Sequence, residues 1–130
     1  MTDGVAHRLR GTSIAGSRLV VAEWEGDAAD WPQAPLHLHR EDDEAWYVLQ
    51  GVLRFRVGDE VIRLGPGGSL VVPADTPHTF WIDEGAPARY VIVMTRQIAA
   101  LIDAIHSAPD RSPAAMTALF ERFGSQLLEG

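Results

Sequence analysis

The sequence predicts an all-β protein, an antiparallel sandwich or barrel, with helices only in its C-terminal tail. The first observation is a series of short, valine-rich runs between residues 17 and 95, separated by turns that contain glycine, proline or aspartate. The second is a change of apolar spacing after residue 95, from alternation to the i, i+3, i+4 pattern of amphipathic helices. Closing such strands into a barrel removes most exposed sheet edges.

The strands can be placed in order along the chain. Residues 1–16 show little periodicity and predict an irregular arm, with the option of pairing along a sheet edge. The pair Gly58-Asp59 fits a tight hairpin, and the run GPGG at residues 65–68 is a turn by its composition. Strands are predicted at Ser17–Trp24, Leu36–His39, Ala45–Gln50, Val52–Val57, Glu60–Leu64, Ser69–Val72, His78–Ile82 and Ala88–Thr95.

The tail predicts two helices against the outside of the barrel. Ser112 has the chemistry of an N-cap, Pro113 suits the first helical position, and Gly124 suits the position after the helix. We therefore expect a single domain with an arm at 1–16, a barrel at 17–95 and a helical extension at 96–130. The apolar faces of the two helices are Ile98, Leu101, Ile102 and Ile105, and then Met116, Leu119, Phe120 and Phe123.

Composition excludes several classes of function. The formal net charge of −7 argues against a nucleic-acid partner, because binding to a phosphate backbone requires a basic surface. The chain has no cysteine, hence no disulfide or thiolate site, and all its basic residues other than histidine are arginine, which removes lysine chemistry. No stretch has the length of a signal peptide core or a membrane span, so we expect a cytoplasmic protein with no membrane partner.

The segment from Pro35 to Gly51 carries the chemistry. His37 and His39 alternate with Leu38 in a predicted strand, so both imidazoles point to one face, about 7 Å apart, and can converge on one ion. Glu44 begins the next apolar run and can bring a carboxylate to the same ion after a short turn. A further ligand is available at His78, in the later run VVPADTPHTFWI.

These residues resemble the two sequence motifs of the cupins. His37, His39, Glu44 and Gly51 have the spacing of the first motif, although Trp31 stands where that motif begins with glycine. Gly67, Pro73 and His78 have the spacing of the second motif, in which Asp75 replaces a glycine and Ile82 an asparagine. Aspartate tolerates a positive φ better than most residues, so a turn at Asp75 is still expected.

The resemblance implies a jelly-roll barrel, the antiparallel double-stranded β-helix of the cupins, with a metal site. It implies one divalent transition metal per chain, bound by His37, His39, Glu44 and His78. Three imidazoles and one carboxylate suit Fe, Mn, Ni, Co, Cu or Zn, and they leave positions open for a ligand on a six-coordinate ion. Small single-domain cupins also pair their sheets, which predicts a homodimer.

The parity of the strands predicts an apolar pocket beside the metal. Trp46 lies two residues after Glu44, and Phe80 two residues after His78, so each shares the face of its ligand. Phe55 lies on the inward face of the next strand. We expect Trp46, Phe55 and Phe80 to shape a substrate pocket, although a barrel core would need the same residues. His7 and His106 fit no ligand spacing and are expected to face solvent.

Three functions remain open from the sequence. The first is a dioxygenase-like metal-dependent enzyme acting on a small apolar or aromatic molecule, with Glu44 as a base, a role taken from cupin dioxygenases. The second is a metal-assisted isomerase, lyase or cyclase, in which the ion polarises a carbonyl. Sugar substrates fit this second option poorly, because the expected lining has few polar groups. The third is a binding or sensing protein without turnover.

Overall fold

Two antiparallel five-stranded sheets pack face to face in the computed structural model, which describes residues 7–10, 14–27, 34–83 and 85–128. Two helices lie outside the sheets. The helices are α1 Arg96–Ser107 and α2 Pro113–Arg122. The strands are β1 His7–Arg10, β2 Leu19–Gly26, β3 Ala34–His39, β4 Glu44–Gln50, β5 Leu53–Val57, β6 Glu60–Leu64, β7 Ser69–Val72, β8 His78–Ile82, β9 Ala88–Thr95 and β10 Ser125–Leu127.

The strand order is that of a jelly roll. One sheet has the order β1-β2-β9-β4-β7 and the other β10-β3-β8-β5-β6, so the chain crosses repeatedly between the sheets. The predicted fold class is confirmed. The strands β6 to β9 have their predicted bounds, whereas β3 begins two residues before its predicted start and β2 runs from Leu19 to Gly26.

Alternation along the strands builds the core between the sheets. In β2 the inward residues Val20, Ala22 and Trp24 are buried, and in β9 every second residue from Ala88 to Met94 is buried. The opposite sheet contributes fully buried side chains such as Phe55. Each large apolar side chain removed from water in this way contributes roughly 1.5–3 kcal/mol to the free energy of unfolding.

The turn at Asp75 connects the two sequence motifs. Asp75 has a φ of 65°, the positive value expected from the residue that replaces glycine in the second motif. Its backbone N–H donates to the carbonyl of His39, at 2.6 Å. The turn therefore holds the end of β3 next to the loop that leads into β8.

The helices are well capped and cover one end of the space between the sheets. Thr95, the last residue of β9, is the N-cap of α1, where its hydroxyl accepts from the Ile98 N–H. Ser112 caps α2 in the same way and Pro113 opens it, as predicted. Ile98 and Leu101 of α1 are buried toward the sheets. No helix in the described ranges has the length and apolar character that crossing a membrane requires.

The N-terminal arm takes the edge pairing that the sequence left open, whereas the C-terminal tail differs from the expectation. Within the predicted arm 1–16, residues 7–10 form β1 and pair with β2 at the edge of one sheet, while residues 1–6 and 11–13 lie outside the described residues. The tail 96–130 is not only helical. After Gly124, which has a φ of 70°, it returns as β10 and pairs with β3.

Candidate metal centre

Three strands bring the four predicted ligands to one point. His37 and His39 lie on β3, Glu44 begins β4 and His78 begins β8, and in the pairing of β3 with β8 His37 lies opposite His78. All four side chains are buried. One ligand atom from each residue lies within 4.8 Å of the others. The fold therefore forms the three-histidine, one-glutamate group that the motif spacing predicted.

Hydrogen bonds to the outer ring nitrogens orient the imidazoles. Nδ1 of His37 lies 2.6 Å from the Pro35 carbonyl oxygen, and Nδ1 of His78 lies 2.8 Å from the Thr76 carbonyl oxygen. A carbonyl oxygen only accepts, so Nδ1 of both rings must carry the proton. In a neutral ring this leaves the lone pair on Nε2, which is the nitrogen that a metal ion requires.

The inner nitrogens and Glu44 fit a cation. Nε2 of His39 lies 3.1 Å and Nε2 of His78 3.4 Å from the same Glu44 oxygen, Oε1. Nε2 of His78 is nevertheless a buried polar atom with no hydrogen bond of acceptable geometry. Buried polar atoms are rarely left without a partner, and a lone pair that faces a carboxylate across this distance is stabilised by a positive ion between them. The donor set and its unsatisfied nitrogen therefore suit a divalent transition metal.

The electrostatics keep two of the ligands in their metal-binding protonation states. Burial, together with the neighbouring His78 and His39, lowers the pKa of His37 from 6.5 to about 3. For Glu44, burial alone would raise the pKa, but the adjoining imidazoles, above all the hydrogen-bonded ring of His39 and then that of His78, outweigh it and lower the pKa to about 2. At neutral pH, His37 is therefore neutral and Glu44 is ionised.

Ser125 is a member of the site that the sequence did not predict. It lies on β10, which pairs with β3 so that Ser125 stands opposite His39. Its hydroxyl lies 2.7 Å from Nδ1 of His39, and Ser125 is fully buried. The only signal in the sequence was the glycine before it, because a three-residue strand is too short to show periodicity.

A cavity of about 320 Å³ opens beside the ligands and extends to the helices. His37, His39 and Glu44 line its inner end, and Phe120 of α2 packs edge-on against the His37 ring with centroids 5.6 Å apart. Most of the remaining wall is apolar or aromatic. From the barrel it is formed by Trp24, Ala34, Trp46, Phe80, Tyr90 and Ile92, and from α1 by Ile98, Leu101, Ile102 and Ile105.

Of the three residues expected to shape a pocket, two line the cavity. Trp46 and Phe80 do so, but Phe55 does not. Phe55 is fully buried and stacks on the far side of Phe80, with ring centroids 5.5 Å apart and planes 23° apart. Strand parity places Phe55 on the inward face, as expected, but parity does not determine how far a side chain lies from the cavity. The pairing of β5 with β8 sets Phe55 behind Phe80 rather than beside the cavity.

The helices contribute to the cavity, which the sequence did not predict. They lie outside the sheets, as expected, but they cover the end of the barrel where the ligands are. His106 is exposed, as predicted, yet it lines the cavity mouth and packs edge-on against Trp24 with centroids 5.9 Å apart. The side chain of His7 lies outside the described residues.

Comparison with solved structures gives the same fold. A cupin protein from Bacteroides fragilis is 18% identical, with a TM-score of 0.56 over 63% of this chain and 69% of that chain. A cupin superfamily protein from Desulfitobacterium hafniense is 16% identical, with a TM-score of 0.56 over 69% of this chain and 76% of that chain. A sugar phosphate isomerase of the cupin superfamily from Silicibacter pomeroyi is 27% identical, with a TM-score of 0.60 over 73% of this chain and 61% of that chain.

The family assignment rests on sequence and on structure together. No curated protein matches the sequence. The family model described as Cupin domain matches residues 28–94, which are more than half of the 130 residues and contain all four ligands. The jelly-roll topology and the buried His-His-Glu-His group agree with that match. The chain belongs to the cupin family.

Proposed function

We propose that this cupin is a metal-dependent, dioxygenase-like enzyme that acts on a small apolar or aromatic molecule. His37, His39, Glu44 and His78 would hold one divalent transition metal ion. The observation that carries the proposal is that three of these ligands form the inner wall of an apolar cavity. A purely structural ion is normally enclosed by four protein ligands, whereas an ion at this position would face a space large enough for a small molecule.

The cavity supports a small substrate with little polar surface. Its volume of about 320 Å³ is at the lower end of the range for ligand pockets. Trp46 and Phe80 face the substrate space from the barrel, while Leu101 and Ile105 face it from α1. Aromatic and aliphatic walls of this kind exclude water and orient a flat or apolar molecule toward the ligand end.

The chain's own residues would position the substrate and hold a proton. An ion bound at this site supplies Lewis-acid polarisation of a substrate oxygen and, if it is redox-active, electron exchange with O₂. Glu44 is the proton acceptor at the inner end of the cavity. Its low pKa makes it a weak base while it contacts His39 and His78, so its proposed role requires that the carboxylate move away from both rings.

The test is aerobic turnover with defined metals. Protein loaded separately with Fe, Mn, Ni, Co, Cu or Zn is incubated with flavonols and catechols while oxygen consumption and product formation are measured. We expect oxygen consumption with at least one redox-active metal, and its loss in Glu44→Gln protein whose metal content is equal to that of the wild type. If every loaded form binds these compounds without consuming oxygen, the oxygenase proposal is rejected in favour of a binding protein.

A metal-assisted isomerase is the second candidate. The observation in its favour is the likeness to the Silicibacter pomeroyi protein, which is described as a sugar phosphate isomerase. The apolar wall that α1 contributes argues against a sugar, because a sugar's hydroxyl groups would lose their hydrogen bonds to water there. Interconversion of aldose and ketose phosphates by the metal-loaded protein under anaerobic conditions would favour this candidate over the oxygenase.

A further inference from the structure

We propose that the substrate of this cavity carries an oxyanion, a carboxylate or a phosphate, which Arg111 and His106 bind at the cavity mouth. This inference rests on the proposed function, because it specifies the class of molecule that the apolar cavity accepts. It concerns the end of the cavity away from the metal ligands. Both residues belong to the helical segment and neither is part of a cupin motif.

The exposure of the lining residues shows where the cavity opens. The metal ligands and the barrel aromatics that line it are buried. Three lining residues are exposed, namely Pro35, His106 and Arg111. The mouth therefore lies at the end of α1 and in the link from α1 to α2. A molecule that reaches from the ligands to solvent must pass these side chains.

Arg111 is available to bind an anion. Its guanidinium donates one hydrogen bond, from one NH group to the carbonyl of Ile105 in the last turn of α1. Among the described residues this carbonyl is its only hydrogen-bond or ion-pair partner. The nearest carboxylate in the sequence, Asp110, accepts from the Ser112 backbone N–H instead. A guanidinium has five N–H donors in a planar fork, so donors suited to an oxyanion remain.

Two further lining residues of the cavity, His106 and Trp24, carry ring N–H groups. His106 stands at the mouth with its imidazole against the ring of Trp24. The indole N–H of Trp24 is buried and has no hydrogen-bond partner within the described part of the chain. A buried donor without a partner is uncommon, so an acceptor atom of a ligand that reached this N–H would be stabilised.

The position of Arg111 at the cavity mouth contrasts with the negative charge of the protein as a whole. The formal net charge is −7, whereas the rim of the apolar cavity carries a cation that has no carboxylate partner among the described residues, so the local charge at the mouth is opposite to that of the whole protein. A neutral apolar substrate would need no cation here. An amphiphilic anion matches both parts of the cavity, because its apolar body is buried between the sheets and α1 while its charge stays at the partly solvated mouth.

The experiment compares matched ligands on the protein as purified, by calorimetric titration. The probes are 3-phenylpropionate, its neutral isostere 3-phenylpropanamide, and phenyl phosphate. We expect Arg111→Gln to weaken 3-phenylpropionate binding about fivefold, the factor for an exposed ion pair of about 1 kcal/mol, and to leave the amide unchanged. Arg111→Lys should retain part of the affinity, and added salt should weaken binding of the acid only.

Arg122→Gln is the matched control, since Arg122 is an exposed arginine of α2 that does not line the cavity. If Arg111→Gln weakens binding of 3-phenylpropionate alone, of phenyl phosphate alone or of both, the result identifies which oxyanion the mouth accepts. Equal binding of acid and amide, or equal effects of the two Gln variants, overturns this inference and leaves the apolar substrate site intact. If wild-type protein binds none of the probes at millimolar concentration, the apolar site fails as well. Should Arg111→Gln not fold, the salt dependence of wild-type binding and the Arg111→Lys variant decide the question.

Discussion

The hydroxyl of Ser125 lies 2.7 Å from Nδ1 of His39, across a separation of 86 positions in the chain. This contact joins β10, the last strand of the described chain, to β3, which carries two of the four candidate metal ligands. The hydroxyl fixes the plane of the imidazole, so Nε2 of His39 stays directed at Glu44. Partners of this kind commonly change metal affinity by one to two orders of magnitude.

We expect Ser125→Ala to weaken metal binding roughly tenfold to a hundredfold, because the His39 ring loses the group that orients it. Competition titration with a chelating dye measures the dissociation constant. Ser125→Thr keeps the hydroxyl and is the matched control. Equal affinities for the Ala variant and the wild type would show that the contact has no role in binding.

A double variant tests the ligand set itself. In His37→Ala/His39→Ala protein we expect the metal content to fall from one ion per chain to near zero, because two of the four donors are gone. Elemental analysis of the purified protein measures this. His106→Ala removes a histidine that lies outside the ligand group and should leave the content unchanged. A double variant with full metal content would reject the site.

The metal-free protein should lose stability in acid. The pKa of His37 is about 3 in the folded protein against 6.5 ordinarily, so below pH 6.5 the unfolded chain takes up a proton that the folded protein does not. The pKa of Glu44 is about 2 in the folded protein against 4.5 ordinarily, so protonation of this group in the unfolded chain further lowers the stability below pH 4.5. Each group contributes a slope of up to about 1.4 kcal/mol per pH unit within its window.

Urea unfolding of chelator-treated protein at pH 7, 6.5, 4.5 and 4 measures the dependence of the free energy of unfolding on pH in each window. In His37→Gln protein the slope between pH 6.5 and 4.5 should become smaller, while the further loss below 4.5 should persist. A wild-type free energy of unfolding that is constant from pH 7 to pH 4 would contradict the assignment.

Truncation of Phe80 and of Phe55 should affect stability and ligand binding differently. Phe55→Ala creates a closed cavity in the core, which costs about 3–5 kcal/mol. In Phe80→Ala the vacated space joins the existing cavity, so we expect a smaller loss of stability, unchanged metal content and weaker binding of apolar ligands. Thermal unfolding, elemental analysis and calorimetry separate these effects. If Phe80→Ala loses its metal or unfolds, Phe80 is a core residue and not part of the substrate wall.

The homodimer stays a prediction, and the outer face of one sheet is where a second copy would pack. One row across the sheet consists of Val21 on β2, Val93 on β9, Ala45 on β4 and Val71 on β7, and Tyr47 lies in the adjacent row. Val21, Tyr47 and Val71 are exposed. We expect light scattering at high micromolar concentration to give a dimer mass for wild type and a monomer mass for Val21→Glu. A monomeric wild type would reject the prediction.

Local pattern brought three of the candidate ligands together, and the resemblance to the second cupin motif added His78, but the distance of a side chain from the cavity and the long-range pairing of strands were not predictable. Period-two alternation and a short turn placed His37, His39 and Glu44 together, since those constraints act within a few residues of one another. The position of Phe55 behind Phe80 depends on how β5 pairs with β8, which alternation does not encode. Ser125 and Phe120 reach the site through the packing of a tail whose helical spacing shows which face is apolar but not what that face covers.

The helical segment that covers the cavity is attached to the sheets both before α1 and after α2. Thr95 is both the last residue of β9 and the N-cap of α1. Beyond α2, the backbone N–H of Arg40 donates a hydrogen bond to the Gly124 carbonyl, and that of Leu128 donates to the Leu36 carbonyl. The segment that covers the cavity is therefore anchored on both sides and is not a free tail. Its C-terminal attachment includes Ser125, so a displacement of β10 from β3 would also remove the hydroxyl that contacts the His39 ring.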